Sequence, residues 1–88
     1  MLKHHTYFEN RVQSVGFERH GRKQTVGVVD VGEFHFNTDG AERMTVVSGQ
    51  LQARLTGGDW LTFPAGTSFE VPGKSGFDVR TQEPTAYW

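Results

Sequence analysis

Chemistry in this 88-residue chain has to come from a small set of side chains. Glu42 opens the run Glu42-Arg43-Met44-Thr45-Val46-Val47-Ser48. In an extended strand, with its period of two, the Glu42 carboxylate shares a face with Met44, Val46 and Ser48. That sets one acid beside an apolar wall, or on a rim where an arginine pairs with it. Asp78 and Arg80 alternate with Phe77 and Val79. If the apolar pair packs inside, Asp78 and Arg80 face solvent or a partner. If the polar side lines a lumen, Arg80 is placed to hold an oxyanion, because its planar fork binds such groups in bidentate fashion. Arg22, in the polar stretch Glu18–Gln24, is a second oxyanion candidate on a loop. His35 and Asn37 offer an imidazole and an amide, with His35 between Phe34 and Phe36. Tyr7 and Tyr87 carry hydroxyl handles, or anchor the chain ends. His4, His5 and His20 read as solvated.

These groups must be held by strands. Short β-branched and aromatic runs, such as Thr25–Val29 and Glu33–Asn37, alternate with Gly-rich turns. Leu51, Ala53 and Leu55 alternate with Gln50, Gln52 and Arg54, which is a period of two. Trp60–Phe63 reads as a short strand ended by Pro64, and Thr85–Trp88 as a last strand. Turn signals at this spacing favour a sandwich or barrel over βαβ units. The one helix candidate is Thr6–Val12, and Glu18–Gln24 reads as a hairpin loop.

Size and charge set outer bounds. A chain of 88 residues has room for one domain, and its modest core calls for a staple or a partner. With no cysteine there is no disulfide and no thiolate ligand, so a second copy is the expected help. A formal net charge of -1 gives no long-range pull toward nucleic acid or an anionic membrane. There is no membrane-length apolar run and no signal-like h-region, so a cytoplasmic location is expected.

Two spacings resemble the motifs of the cupin family. Its first motif ends in a Glu, six residues and a Gly, which Glu42 and Gly49 match. Its second runs Gly, five residues, Pro, one residue, Gly, which Gly58, Pro64 and Gly66 match. The glycines bend strands tightly, and Pro64 ends a strand before a bend. The resemblance implies an all-β, cupin-like β-barrel of jelly-roll type, a single domain over residues 1–88. Metal-binding cupins also carry two His ahead of the Glu and a third after the last Gly. Registered from Glu42, the first two positions hold His35 and Asn37; registered from Gly66, the third holds Phe69. A phenyl ring cannot ligate, and a transition-metal site wants three or four N, O or S ligands. No metal and no cofactor are expected.

The likeness extends along nearly the whole chain. Its pieces are Tyr7-Phe8 with Val12, Ser14, Gly16 and Phe17; Val26-Gly27-Val28; and Gly32-Glu33-Phe34. Then come Glu42-x-Met44-Thr45-Val46-Val47-Ser48-Gly49, Phe69-x-Val71-Pro72-Gly73-x-Ser75-x-Phe77 and Pro84-Thr85-x-Tyr87. Together they resemble the pyrimidine/purine nucleoside phosphorylase family of small cupins. Its members continue for a few residues, a cysteine among them, past the position of Trp88, so either a short last strand or a clipped chain is expected.

That resemblance implies phosphorolysis of nucleosides to free base and pentose 1-phosphate, in a homodimer and without a metal. Phosphorolysis needs a cation or amide donors for phosphate and a carboxylate near the oxocarbenium-like ribosyl centre. It also needs a stacking surface and a proton donor for the departing base. Under that reading Glu42 and Arg80 are the catalytic candidates. His35, Asn37, Met44, Phe69, Asp78, Tyr7, Tyr87 and Arg22 are the substrate-binding ones, although Phe69 serves equally as core packing. Two other functions compete: a non-catalytic small-molecule-binding cupin, and a metal-dependent enzyme using a degenerate site of His35 and Glu42.

Overall fold

The computed structural model describes all 88 residues. Ten strands follow one another with no helix between them: β1 (Lys3–Tyr7), β2 (Val12–Arg19), β3 (Arg22–Val29), β4 (Gly32–Asn37), β5 (Glu42–Ser48), β6 (Gln50–Leu55), β7 (Leu61–Pro64), β8 (Ser68–Val71), β9 (Gly76–Thr81) and β10 (Thr85–Tyr87). The alternation in the sequence decides which side chains go inside. In β9, Phe77, Val79 and Thr81 are buried while Asp78 and Arg80 are not; in β6, Leu51 and Ala53 are buried.

Six strands form one antiparallel sheet in the order β1-β2-β3-β10-β5-β8, and four form a second in the order β4-β9-β6-β7. The sheets face each other without sharing a strand pairing. The all-β, cupin-like architecture stands, but as an open two-sheet sandwich rather than a closed barrel. Closure would need pairing across the sheet edges. The edge strands β7 and β8 are only four residues long, and Pro64 and Pro72 stop them from extending. No helix is long and apolar enough to cross a membrane.

Two local expectations change. The stretch Thr6–Val12 is not helical. It is the end of β1, a turn, and the start of β2, with the exposed Tyr7 and the buried Val12 opposite each other in register. In that turn Phe8, Glu9 and Asn10 have φ of 52°, 56° and 68°. Three successive left-handed residues without a glycine are costly, at about 1–2 kcal/mol each for ordinary side chains and less for Asn. The Glu18–Gln24 hairpin is in place, but its strands run to Arg19 and from Arg22, leaving only His20 and Gly21 as the turn. Both turn residues have positive φ, which matches the twist of the flanking strands.

The core lies between the sheets. Val12, Val29, Val46, Leu51 and Val79 are all but fully buried, and Phe34, Ala53, Val71, Phe77 and Tyr87 complete it. Phenylalanines then fill the interior in a connected series. Phe8 lies 5.0 Å from Phe34 and 5.9 Å from Phe36, and Phe36 stacks on Phe77 at 5.5 Å. Phe77 meets Phe69 at 6.0 Å, and Phe69 meets Phe63 at 4.5 Å. Offset and tilted ring pairs of this kind add about 0.5–1.5 kcal/mol each beyond area burial.

Candidate functional site

One end of the sandwich gathers hydroxyls, a carboxylate and aromatic faces. Tyr87, on the inner side of β10, turns its ring across Gly27 of β3. A Cβ at Gly27 would stand 2.5 Å from the ring Cζ and the phenol oxygen, so only glycine leaves that space. Ser14 sits opposite Gly27 in register, which brings its hydroxyl to the phenol. Burial raises the Tyr87 pKa, Ser14 opposes the shift, and the charges of Tyr7 and Glu42 add to it. Tyr7 and Glu42 thus lie within electrostatic reach of Tyr87, whose surroundings are here called the mouth. Met44 lies across from Phe69 in the β5–β8 pairing, and both are half-buried against the core with Phe36. Phe8, directly after Tyr7, covers Phe34 and Phe36.

Glu42 is the first residue of β5. Its pKa is raised, first by loss of water around the carboxyl and then by the charge of Asp39. It lines a shallow cavity of about 470 Å³ with Ala41, Arg43, Glu70, Val71 and Pro72. No arginine neutralises it, since both salt bridges in the chain belong to Asp78. A rim carboxylate paired with an arginine is therefore not what forms.

A second polar array lies on the outer face of the four-stranded sheet. Register sets His35 opposite Asp78, Arg54 opposite Asp78, and both Glu33 and Gln52 opposite Arg80. His35 Nδ1 is 2.7 Å from Asp78 Oδ1, and Nε2 is 3.2 Å from Asn37 Oδ1. Its imidazole lies over Gly76, where a Cβ would come within 2.9 Å of the ring. The Asp78 hydrogen bond is the main reason the His35 pKa is raised, against the opposing effect of desolvation. The bonds from His35 and then Arg54 lower the Asp78 pKa. Arg54 donates to Asp78 Oδ2 at 3.0 Å, and Arg80 Nε donates to Gln52 at 2.6 Å. Both guanidinium groups lie over Trp60, at 4.6 Å and 4.0 Å from the ring centroid. Arg80 also lines an open cavity of about 780 Å³ with Glu33, Gln52 and Glu83 among its walls.

The residues singled out in the sequence thus separate. Tyr7 and Glu42 bear electrostatically on Tyr87, while Met44 packs against the core opposite Phe69. Phe69 is a packing ring wedged between Phe63 and Phe77. His35 and Asn37 do not line the interior, because Phe34 and Phe36 take the inward phase of β4, and neighbours along a strand point to opposite faces. Asp78 and Arg80 are outside for the same reason, since Phe77 and Val79 are buried. Arg22 lies at the far end of the β2–β3 hairpin, about 17 Å of strand from Gly27. No group of three or more His, Cys, Asp or Glu side chains could hold a metal ion. The degenerate His35 and Glu42 site is not assembled, because the two lie on opposite sides of the sheets.

Ser14, Phe8 and Phe36 at the mouth were not singled out for chemistry, nor were Arg54, Gln52 and Trp60 outside. Ser14 carried one signal, sharing the phase of Val12 on its strand.

Comparison with known proteins shows the family. The family described as pyrimidine/purine nucleoside phosphorylase matches residues 2–88. The chain belongs to that family. A pyrimidine/purine nucleoside phosphorylase of Sorangium cellulosum is 67% identical over 88 residues, covering 99% of this chain and 95% of the relative. One from Aeromonas salmonicida is 50% identical, covering 99% and 94%. Among solved structures, a protein of unknown function from Vibrio parahaemolyticus superposes with a TM-score of 0.96 at 43% identity, covering 99% of this chain and 94% of that one. A protein described for ethanolamine utilization in Salmonella typhimurium shares only the fold, with a TM-score of 0.75 at 15% identity and coverage of 99% and 89%.

Proposed function

We propose that this chain phosphorolyses purine and pyrimidine nucleosides at the mouth built by Tyr7, Ser14, Glu42 and Tyr87, without a metal. An oxygen of inorganic phosphate bonds to the anomeric carbon as the C–N bond breaks. The electron pair stays on the base nitrogen, which takes the proton that hydrogen phosphate gives up on becoming an ester. The products are free base and pentose 1-phosphate. The observation that carries this reading is the Tyr87 phenol buried across Gly27 with Ser14 at its oxygen and the charges of Tyr7 and Glu42 bearing on it, in a chain whose relatives bear the phosphorylase name.

Each group has a part in it. Glu42, unpaired and short of water, stabilises positive charge on the ribosyl ring more strongly than a solvated acid would. The Tyr87 and Ser14 hydroxyls donate to phosphate or sugar oxygens. The phenyl rings take the face of the base. Arg80 cannot serve the mouth of its own chain. It reaches phosphate only if a second copy presents its outer sheet there, which makes the homodimer part of this reading. Residues 1–88 act as one domain, in the cytoplasm.

The test is chromatography of base released from inosine, uridine and adenosine, with and without phosphate, for wild type and Glu42→Gln. Phosphate-dependent release that collapses in Glu42→Gln is expected. Release independent of phosphate, or unchanged in the variant, removes the proposal. Stoichiometric metal in protein prepared without chelator would remove the metal-free part alone. The lack of any Lys or Arg among the groups bearing on Tyr87 favours a second reading. That reading is a domain that binds nucleosides and does not cleave them; saturable binding without release supports it.

A further inference from the structure

We propose that Phe8 is the residue on which the nucleobase stacks, carried on a turn that swings it off the mouth to admit substrate. The inference rests on the reading of the mouth as the nucleoside site. Phe8 is not packed like a core residue. It remains 43% exposed while its ring sits over two others, Phe34 at 5.0 Å and Phe36 at 5.9 Å. It therefore occupies an aromatic slot without sealing it. A planar base of similar thickness could take its place between the rings.

The turn that carries Phe8 is strained by design of the sequence. Phe8, Glu9 and Asn10 are all left-handed, with φ of 52°, 56° and 68°. Only Asn takes that conformation readily. The chain places glycine at several of its other left-handed positions, including Gly21 between β2 and β3 and Gly57 after β6. A side chain is kept here where glycine would be easier. What the strained path does is aim Phe8 back over the interior. Few contacts oppose its release: a backbone hydrogen bond from Arg11 to the Phe8 carbonyl at 3.2 Å, and one from Gln13 Nε2 to the Asn10 carbonyl at 3.1 Å. Strain and two ring contacts act in opposite directions, so the turn can exchange one stacking partner for another.

The position also fits the reaction. Phe8 follows Tyr7, whose charge bears on Tyr87 together with that of Glu42. A base stacked on Phe8 would leave its sugar toward that polar group. Stacking is indifferent to which base is bound, because every base has a π-face. Phe8 would thus supply affinity for purines and pyrimidines alike.

The experiment measures KM for nucleoside and for phosphate separately in wild type, Phe8→Ala and Phe8→Tyr. Phe8→Ala should raise KM for uridine and inosine about tenfold, as loss of a base stack does, with KM for phosphate unchanged and Phe8→Tyr restoring it. Equal changes in both constants, or none, overturn the proposal. Phe8→Trp gives an independent readout if wild type proves not to cleave nucleosides. Its emission should change saturably with uridine or free uracil and not with ribose. That result would keep the stacking role while the phosphorylase reading falls; no change with any of the three would overturn the stacking role too.

Discussion

The ring of Tyr87 lies across the backbone of Gly27, so closely that a Cβ there would stand 2.5 Å from the phenol oxygen. The glycine is thus a recess cut to the shape of a particular side chain. Gly27→Ala has to push Tyr87 out of it, and with it the contact to Ser14. Overpacking of this kind costs about 1–3 kcal/mol. A urea titration should show that loss, and base release should fall with it. A stable variant in which Tyr87 is undisturbed would show that the recess is not needed.

Glu42 gives a prediction with two opposite signs. Its folded pKa is raised above the ordinary value, so ionising it costs stability. The folded state is favoured below the ordinary carboxyl pKa, and that advantage is lost as pH rises through the raised value. Glu42→Gln should therefore melt higher than wild type at neutral pH, with the gain shrinking toward pH 4. Base release should fall by about a hundredfold or more. Calorimetry at the two pH values, beside the activity assay, checks both halves. A variant that loses stability as well as activity would place Glu42 among supporting contacts.

Asp78 and His35 titrate as a pair. The raised His35 pKa means a contribution complete below the ordinary imidazole value and lost as pH rises through the raised one. The lowered Asp78 pKa means a contribution present above the ordinary carboxyl value and lost as pH falls through the lowered one. The pair therefore acts in the mildly acidic window between them. Asp78→Asn should bring the His35 midpoint, followed by NMR of the ring protons, down toward the ordinary imidazole value of 6.5.

Arg80 and Glu42 on opposite faces make the assembly testable by mixing. If a partner's Arg80 completes the mouth, Glu42→Gln and Arg80→Ala are each inactive alone. Mixed after mild unfolding and refolding, they should regain about a quarter of wild-type activity, because a heterodimer carries one intact site. Arg80→Ala with full activity would show that phosphate is held without it. Sedimentation showing only monomer at micromolar concentration would end the shared-site idea.

Most of the strand content was legible because the period of two is explicit in runs such as Leu51, Ala53 and Leu55, and turns are marked by Gly and Pro. What misled was phase. His35 and Asn37 were registered by counting from Glu42, yet Phe34 and Phe36 on the same strand compete for the inward side, and burying phenyl rings outweighs burying an imidazole and an amide. Arg80 carried the opposite warning, since its fate was tied openly to Phe77 and Val79. The turn at Phe8 was unreadable for another reason. Three left-handed residues without glycine contradict local preference, and contacts with Phe34 and Phe36, distant in sequence, help to hold them. Tyr7 and Tyr87, at opposite ends of the chain, meet only once the sheet order is known.

The first strand has a consequence of its own. Every residue of β1 is exposed, and only β2 pairs with it, so its free edge offers unsatisfied N–H and C=O groups to any passing strand. Lys3 is the sole fixed charge guarding that edge. With a sequence pI near 6.4, little net repulsion keeps molecules apart in mildly acidic buffer. The edge is where runaway templating between copies would begin, and added acidic residues along β1 would lengthen the shelf life of concentrated protein.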